Sequence, residues 1–159
     1  MGDLLTHYVS ARVTGLGIRD ARSATLFAWG VFFPDLLGKP LVFLPGTSYM
    51  LEIPSHTPFG LLFACGAVSL LFSASIRTRA FVMLYAGSVL HVIGDMMKDY
   101  LGSGSIFLFY PFSLETYELG LYRSEDVFLL LPFNLALLGL LWLLGRKRAS
   151  PPRPDVTVP

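Results

Sequence analysis

Long apolar runs, rather than strict alternation, organise this chain. Phe59 to Ile76 and Val127 to Leu144 carry no charged residue, and Ala80 to Met97 is interrupted only by His91 and Asp95. A helix rises about 1.5 Å per residue and a bilayer core is about 30 Å thick, so runs of roughly 17 to 25 apolar residues are expected to span. A fourth run, Ala24 to Leu44, contains Pro34-Asp35 and Gly38-Lys39-Pro40. Proline lacks a backbone donor and clashes with the preceding turn, which predicts a helix broken at Pro34 and Pro40. Broken backbone at membrane depth needs cover from protein or a watery cavity, so a polar pocket is expected beside it. Asp3 to Gly17 predicts a short N-terminal helix at the interface or dipping into the bundle. The pattern thus predicts an all-α fold: a polytopic membrane helical bundle of about four membrane segments, one integral domain over 1–148. Four prolines in the last ten residues predict a disordered tail over 149–159.

Composition agrees with that solvent. Of the 159 residues 53% are hydrophobic and 14% charged, against about 25% charged in soluble domains. Scarce charge with a net of +1 and one cysteine excludes a disordered chain, a basic nucleic-acid binder and a disulfide-stapled module. Cys65, inside an apolar run, is expected to be a core residue. Nine basic residues (Arg12, Arg19, Arg22, Arg77, Arg79, Arg146, Lys147, Arg148 and Arg153) fall on one side of the expected spans. The positive-inside rule then predicts a multi-pass membrane protein with a cytoplasmic C-terminus.

Ionisable groups inside such spans are costly and each needs a partner or a task. His91 and Asp95 are four apart on one helix, hence on one face, and Asp99 continues the spacing. Imidazole nitrogen and carboxylate oxygen are ligands for zinc and similar ions. An intrahelical hydrogen bond is the plain alternative for that pair. Helical rise puts His91 about 16 Å and Asp95 about 22 Å into the expected span, with Asp35 near mid-bilayer and His56 entering from the outer side. Taken singly, His56 in Pro54-Ser55-His56-Thr57-Pro58 suits an interfacial position, and Asp35 suits a cap on a half-helix. His7 joins the set only if its segment tilts deep into the bundle.

At these residues the chain resembles the bacterial inner-membrane family of metal-dependent hydrolases, the YdjM-like group. The resemblance lies in Thr6-His7, Phe33-Pro34-Asp35, Ser55-His56-Thr57, and His91-Val92-Ile93-Gly94-Asp95 followed by Tyr100-Leu101-Gly102 and Tyr110-Pro111-Phe112-Ser113. It covers about residues 6 to 113. Two positions depart from the family pattern: Leu37 stands where a second Asp is common, and Glu52-Ile53 where another His is usual. The departures fit one metal in place of two, or a site that has lost activity.

The residues and the resemblance together imply a membrane-embedded hydrolase. Its expected cofactor is a divalent metal ion such as zinc, with His7, Asp35, His56, His91 and Asp95 as candidate ligands. Asp99 or Asp35 is the candidate general base. A site in the outer half of the bilayer favours an ester or phosphoester of a lipid-linked or amphiphilic small molecule. A small ion- or proton-coupled transporter is the alternative, since a broken helix beside a His–Asp face also builds ion pathways; an inert bundle is the third. The loop Lys98 to Asp126, with Glu115, Tyr117, Glu118 and Arg123, is either a cap over the pocket or a solvated connector.

Overall fold

A computed structural model describes residues 4–42, 52–99, 106–123 and 126–148. They form five α-helices: α1 (Leu4–Gly15), α2 (Ala21–Val42), α3 (Pro58–Ser69), α4 (Ala74–Met96) and α5 (Val127–Arg148). A single 3-10 turn, Ile53–His56, precedes α3. Two short strands, β1 (Lys98–Asp99) and β2 (Tyr122–Arg123), pair in parallel, with Lys98 opposite Tyr122 and Asp99 opposite Arg123. The expected tail 149–159 and the turn Tyr100-Leu101-Gly102 lie outside the described residues.

The fold is all-α, but the expectation of four membrane segments is overturned. Among the described residues one helix, α4, is long and apolar enough to cross a membrane. The apolar run Phe59 to Ile76 is not one helix: α3 ends at Ser69 and α4 starts at Ala74. At 12 residues α3 is about 18 Å long, well short of a bilayer core. The multi-pass localisation, and the depths derived from it, fall with those spans.

The helix break is also overturned, because α2 runs through both Pro34 and Pro40. An ordinary residue 34 would donate its N–H to the carbonyl of Gly30, and proline cannot. That carbonyl instead accepts the Ser88 hydroxyl from α4, at 3.0 Å. The two helices can come this close because Gly30 and Gly87 face the crossing. A Cβ on Gly30 would lie 2.3 Å from the Leu84 carbonyl oxygen, and one on Gly87 would lie 2.2 Å from that of Phe27. With α2 continuous, the half-helix geometry that favoured a transporter is gone.

Apolar packing surrounds this crossing. Phe33, Leu61, Cys65, Leu84, Val92 and Ile106 form one buried cluster, and Ala11, Phe27 and Val31 a second toward α1. Helix ends are closed locally. Asp20 accepts the backbone N–H and the hydroxyl of Ser23 at the start of α2, at 3.0 and 2.7 Å. Thr57 caps α3 by accepting the Gly60 N–H, with Pro58 in the first position. At the far end of α4, the carbonyls of Met96 and Met97 accept the N–H groups of Leu119 and Leu121. Those bonds draw the 119–123 segment over the end of α4, through Gly120 at a positive φ of 58° that glycine adopts without strain.

Candidate metal centre

Four separate elements deliver five ionisable side chains to one buried place. His7 comes from α1, Asp35 from α2, His56 from the 3-10 turn, and His91 and Asp95 from α4. His7, Asp35, His91 and Asp95 are buried and His56 is nearly so. Two local features let them approach. Gly94 has no side chain where His7 lies; a Cβ there would be 3.3 Å from His7 Cε1. Gly38 similarly leaves room for the 3-10 turn, since its Cβ would fall 2.4 Å from Ser55 Oγ and 3.2 Å from His56 Cε1.

Two overlapping sets of ligand atoms result. His7, His91 and Asp95 form one and Asp35, His56 and His91 the other, each with its ligand atoms within 4.8 Å of one another. In the first, His91 Nε2 is 3.0 Å from Asp95 Oδ2 and His7 Nε2 is 3.4 Å from Asp95 Oδ1. In the second, His56 Nε2 is 3.5 Å and His91 Nε2 3.8 Å from Asp35 Oδ1. Ligands about 2.1 Å from a tetrahedral zinc stand about 3.4 Å apart, a spacing that both sets approach. The imidazoles of His7 and His91 are stacked, with centroids 4.0 Å apart and planes 16° from parallel.

Three imidazole nitrogens of the first set are unmet by hydrogen bonds, while its carboxylate accepts from Lys98. Among the described residues, His7 Nε2 and both ring nitrogens of His91 are buried without a hydrogen-bond partner, despite the short approach to Asp95. Buried polar atoms are almost always paired, and unpaired nitrogens beside a carboxylate at chelating distances suit a shared cation. His56 is held differently. Ser55 gives its hydroxyl proton to the Glu52 carbonyl at 2.7 Å, so at 2.9 Å from His56 Nδ1 it accepts the Nδ1 proton. That fixes the ring with Nε2 turned to Asp35 and Asp95.

Charge is arranged with equal care. The Lys39 ammonium contacts Asp35 Oδ2, and the Lys98 ammonium contacts Asp95 Oδ1. Burial opposes ionisation of Asp35, but contacts from His56 and Lys39 outweigh it and hold the carboxyl well below the usual carboxylate range. Burial also opposes a charged His56, yet Asp35 and Asp95 outweigh that and raise the imidazole above its ordinary value. A proton or a metal ion can satisfy His56 Nε2, and the two compete.

Sequence reasoning missed the two lysines, placing Lys39 in a helix break and Lys98 in an outer loop. The signal was present: Lys39 follows Asp35 by four residues and Lys98 follows Asp95 by three, both spacings that meet on a helix. It also missed Asn134 of α5, which donates to Thr6 Oγ1 at 2.8 Å and anchors α1 next to His7. Asp99, a candidate base, lies half-buried in β1 opposite Arg123 and outside both ligand sets. Of the 106–123 segment, Glu115 accepts the Tyr117 hydroxyl on the exposed surface, while Leu119 and Leu121 hold the end of α4. A groove of about 520 Å³ between α1 and α2, lined by Tyr8, Arg12 and Trp29, contains none of the five site residues.

The site is a histidine–aspartate cluster able to coordinate a divalent metal ion. Comparison with protein-family models, curated proteins and solved structures returns no match to the chain.

Proposed function

We propose that the chain is a metal-dependent hydrolase of an ester or phosphoester, in keeping with its resemblance to the YdjM-like hydrolases. The observation that carries this reading is the set of unpaired buried nitrogens on His7 and His91 beside Asp95. Three protein ligands with a position left open is the pattern of catalytic rather than structural zinc. When bound, a divalent ion supplies Lewis acidity, acidifying water and polarising an ester or phosphoryl oxygen.

The protein's own residues have divided tasks in this reading. His7, His91 and Asp95 hold the ion. Asp35, 3.8 Å from His91 Nε2 and outside that set, takes the proton from the attacking water. His56, turned toward Asp35 by Ser55, holds that carboxylate in place and shares the proton.

Elemental analysis of the purified protein tests the reading. About one divalent transition metal per chain is expected. His91→Ala should lose it while circular dichroism stays helical, and Asp35→Asn should keep the metal but lose hydrolysis of a chromogenic phosphate or carboxylate ester. Wild-type protein without stoichiometric metal would overturn it.

A further inference from the structure

We infer that Lys39 and Lys98 make this site a receptor for an anionic phosphate group, so that its substrate class is a phosphate ester rather than a neutral carboxylic ester. The inference rests on the metal reading above and concerns what else the site must bind. Each carboxylate of the cluster already has a cationic partner: Asp35 has Lys39 and Asp95 has Lys98. Glu52, whose side chain packs against Gly38 and whose charge acts on His56, adds a third negative group. The three carboxylates and two ammoniums leave one negative charge, so a divalent ion seated on neutral imidazoles and Asp95 leaves one positive charge uncompensated. Buried charge without a counter-charge is expensive, which selects an anionic ligand over a neutral one.

Ordinary metal sites of this composition need no lysines. Two carboxylates alone neutralise a divalent ion, and ammoniums against them compete with the metal for the same oxygens. Lys98 is 1% exposed, so its burial is not the incidental contact of a surface side chain. An ammonium has three donors, and among the described residues each lysine shows one side-chain partner, its aspartate. An ammonium that gives one proton to its aspartate can give another to a phosphate oxygen, for which lysine is a common point-charge ligand. His56 and His91 each approach both aspartates, so each ammonium lies one carboxylate away from the same pair of imidazoles. Lys39 is the more open of the two, its side chain 28% exposed, and marks the side from which the anion enters.

The phosphate group belongs either to a small soluble compound or to a lipid headgroup, and two probes separate these. Metal-loaded protein is titrated calorimetrically with inorganic phosphate and with dihexanoyl phosphatidate below its micelle concentration. Saturable one-to-one binding is expected for at least one probe, weakened at least about tenfold by Lys39→Met with metal content unchanged. Tighter binding of the phosphatidate assigns a lipid source, and equal affinity a soluble one; both support the phosphate chemistry. Lys98→Met should weaken binding similarly, and Lys39→Met keeps the test valid if burial makes the Lys98 variant unfold. Metal-loaded wild type that binds neither probe, or Lys39→Met that binds like wild type, overturns the inference. Failure of the metal reading shows separately, as absent metal before any phosphate is added.

Discussion

Removing the Ser88 hydroxyl tests how α2 stays continuous through Pro34 and so how Asp35 reaches the site. The Gly30 carbonyl has lost its normal helical donor to proline and takes Ser88 Oγ at 3.0 Å in its place. Ser88 has no solvent exposure, so in Ser88→Ala water does not replace the hydroxyl. A buried carbonyl left unpaired costs about 1–3 kcal/mol. In a Pro34→Ala background residue 34 regains an N–H directed at Gly30, and the serine becomes dispensable there. The hydroxyl also contacts the Leu84 carbonyl at 2.9 Å and Cys65 Sγ at 3.6 Å, but those losses occur in both backgrounds and cancel in the double-mutant cycle. Denaturant unfolding of the four proteins, followed by circular dichroism, should give a coupling of about 1 kcal/mol or more. Additivity within about 0.5 kcal/mol would refute the exchange of donors.

Three further outcomes are expected. Gly94→Ala puts a methyl 3.3 Å from His7 Cε1: alanine favours the helix by about 1 kcal/mol, while displacement of His7 lowers metal affinity about tenfold or more. Thermal unfolding and metal titration should therefore move in opposite senses, and a variant with unchanged affinity would contradict the placement of His7. His56 has a raised pKa, so its contribution to metal-free stability is full below 6.5 and is lost as pH rises through the higher folded value. Metal affinity should climb over that same interval as the imidazolium 3.9 Å from Asp95 loses its positive charge, and pH-independent affinity from 6 to 8 would count against the site. Asp20 is held below its ordinary value by the Ser23 hydroxyl and N–H and by Arg79, so its contribution is present above 3.8 and disappears as pH falls through the lower folded value. The stability gap between wild type and Asp20→Asn should narrow in that acid range.

The chemistry of the cluster was more legible in the sequence than its scaffold. His91 and Asp95 share a helix face by spacing alone, and the scarcity of charge drew attention to Asp35. The broken α2 was misread because proline's cost depends on whether the orphaned carbonyl finds a donor, and that donor is Ser88, 58 residues from Gly30. The run Phe59 to Ile76 was misread as one span because apolarity is blind to a turn: Leu70 to Ser73 separate α3 from α4 without a charged residue. Lys98 escaped notice because a lysine after a helix normally points to water, and only the strand pairing of β1 with β2 shows it enclosed.

The stacked, glycine-relieved meeting of α1, α2, the 3-10 turn and α4 has a consequence for how the folded protein is maintained. Cys65 is the chain's only cysteine and is free, so no disulfide can tie these elements together. An ion held by His7, His91 and Asp95 would instead tie α1 to α4, closing a loop from the first helix to the end of the fourth. Ion present at about a hundred times its dissociation constant would add about 2.7 kcal/mol to folding. A chelator would then act on this protein as a denaturant does, and the amount of folded protein in a cell would follow the supply of metal.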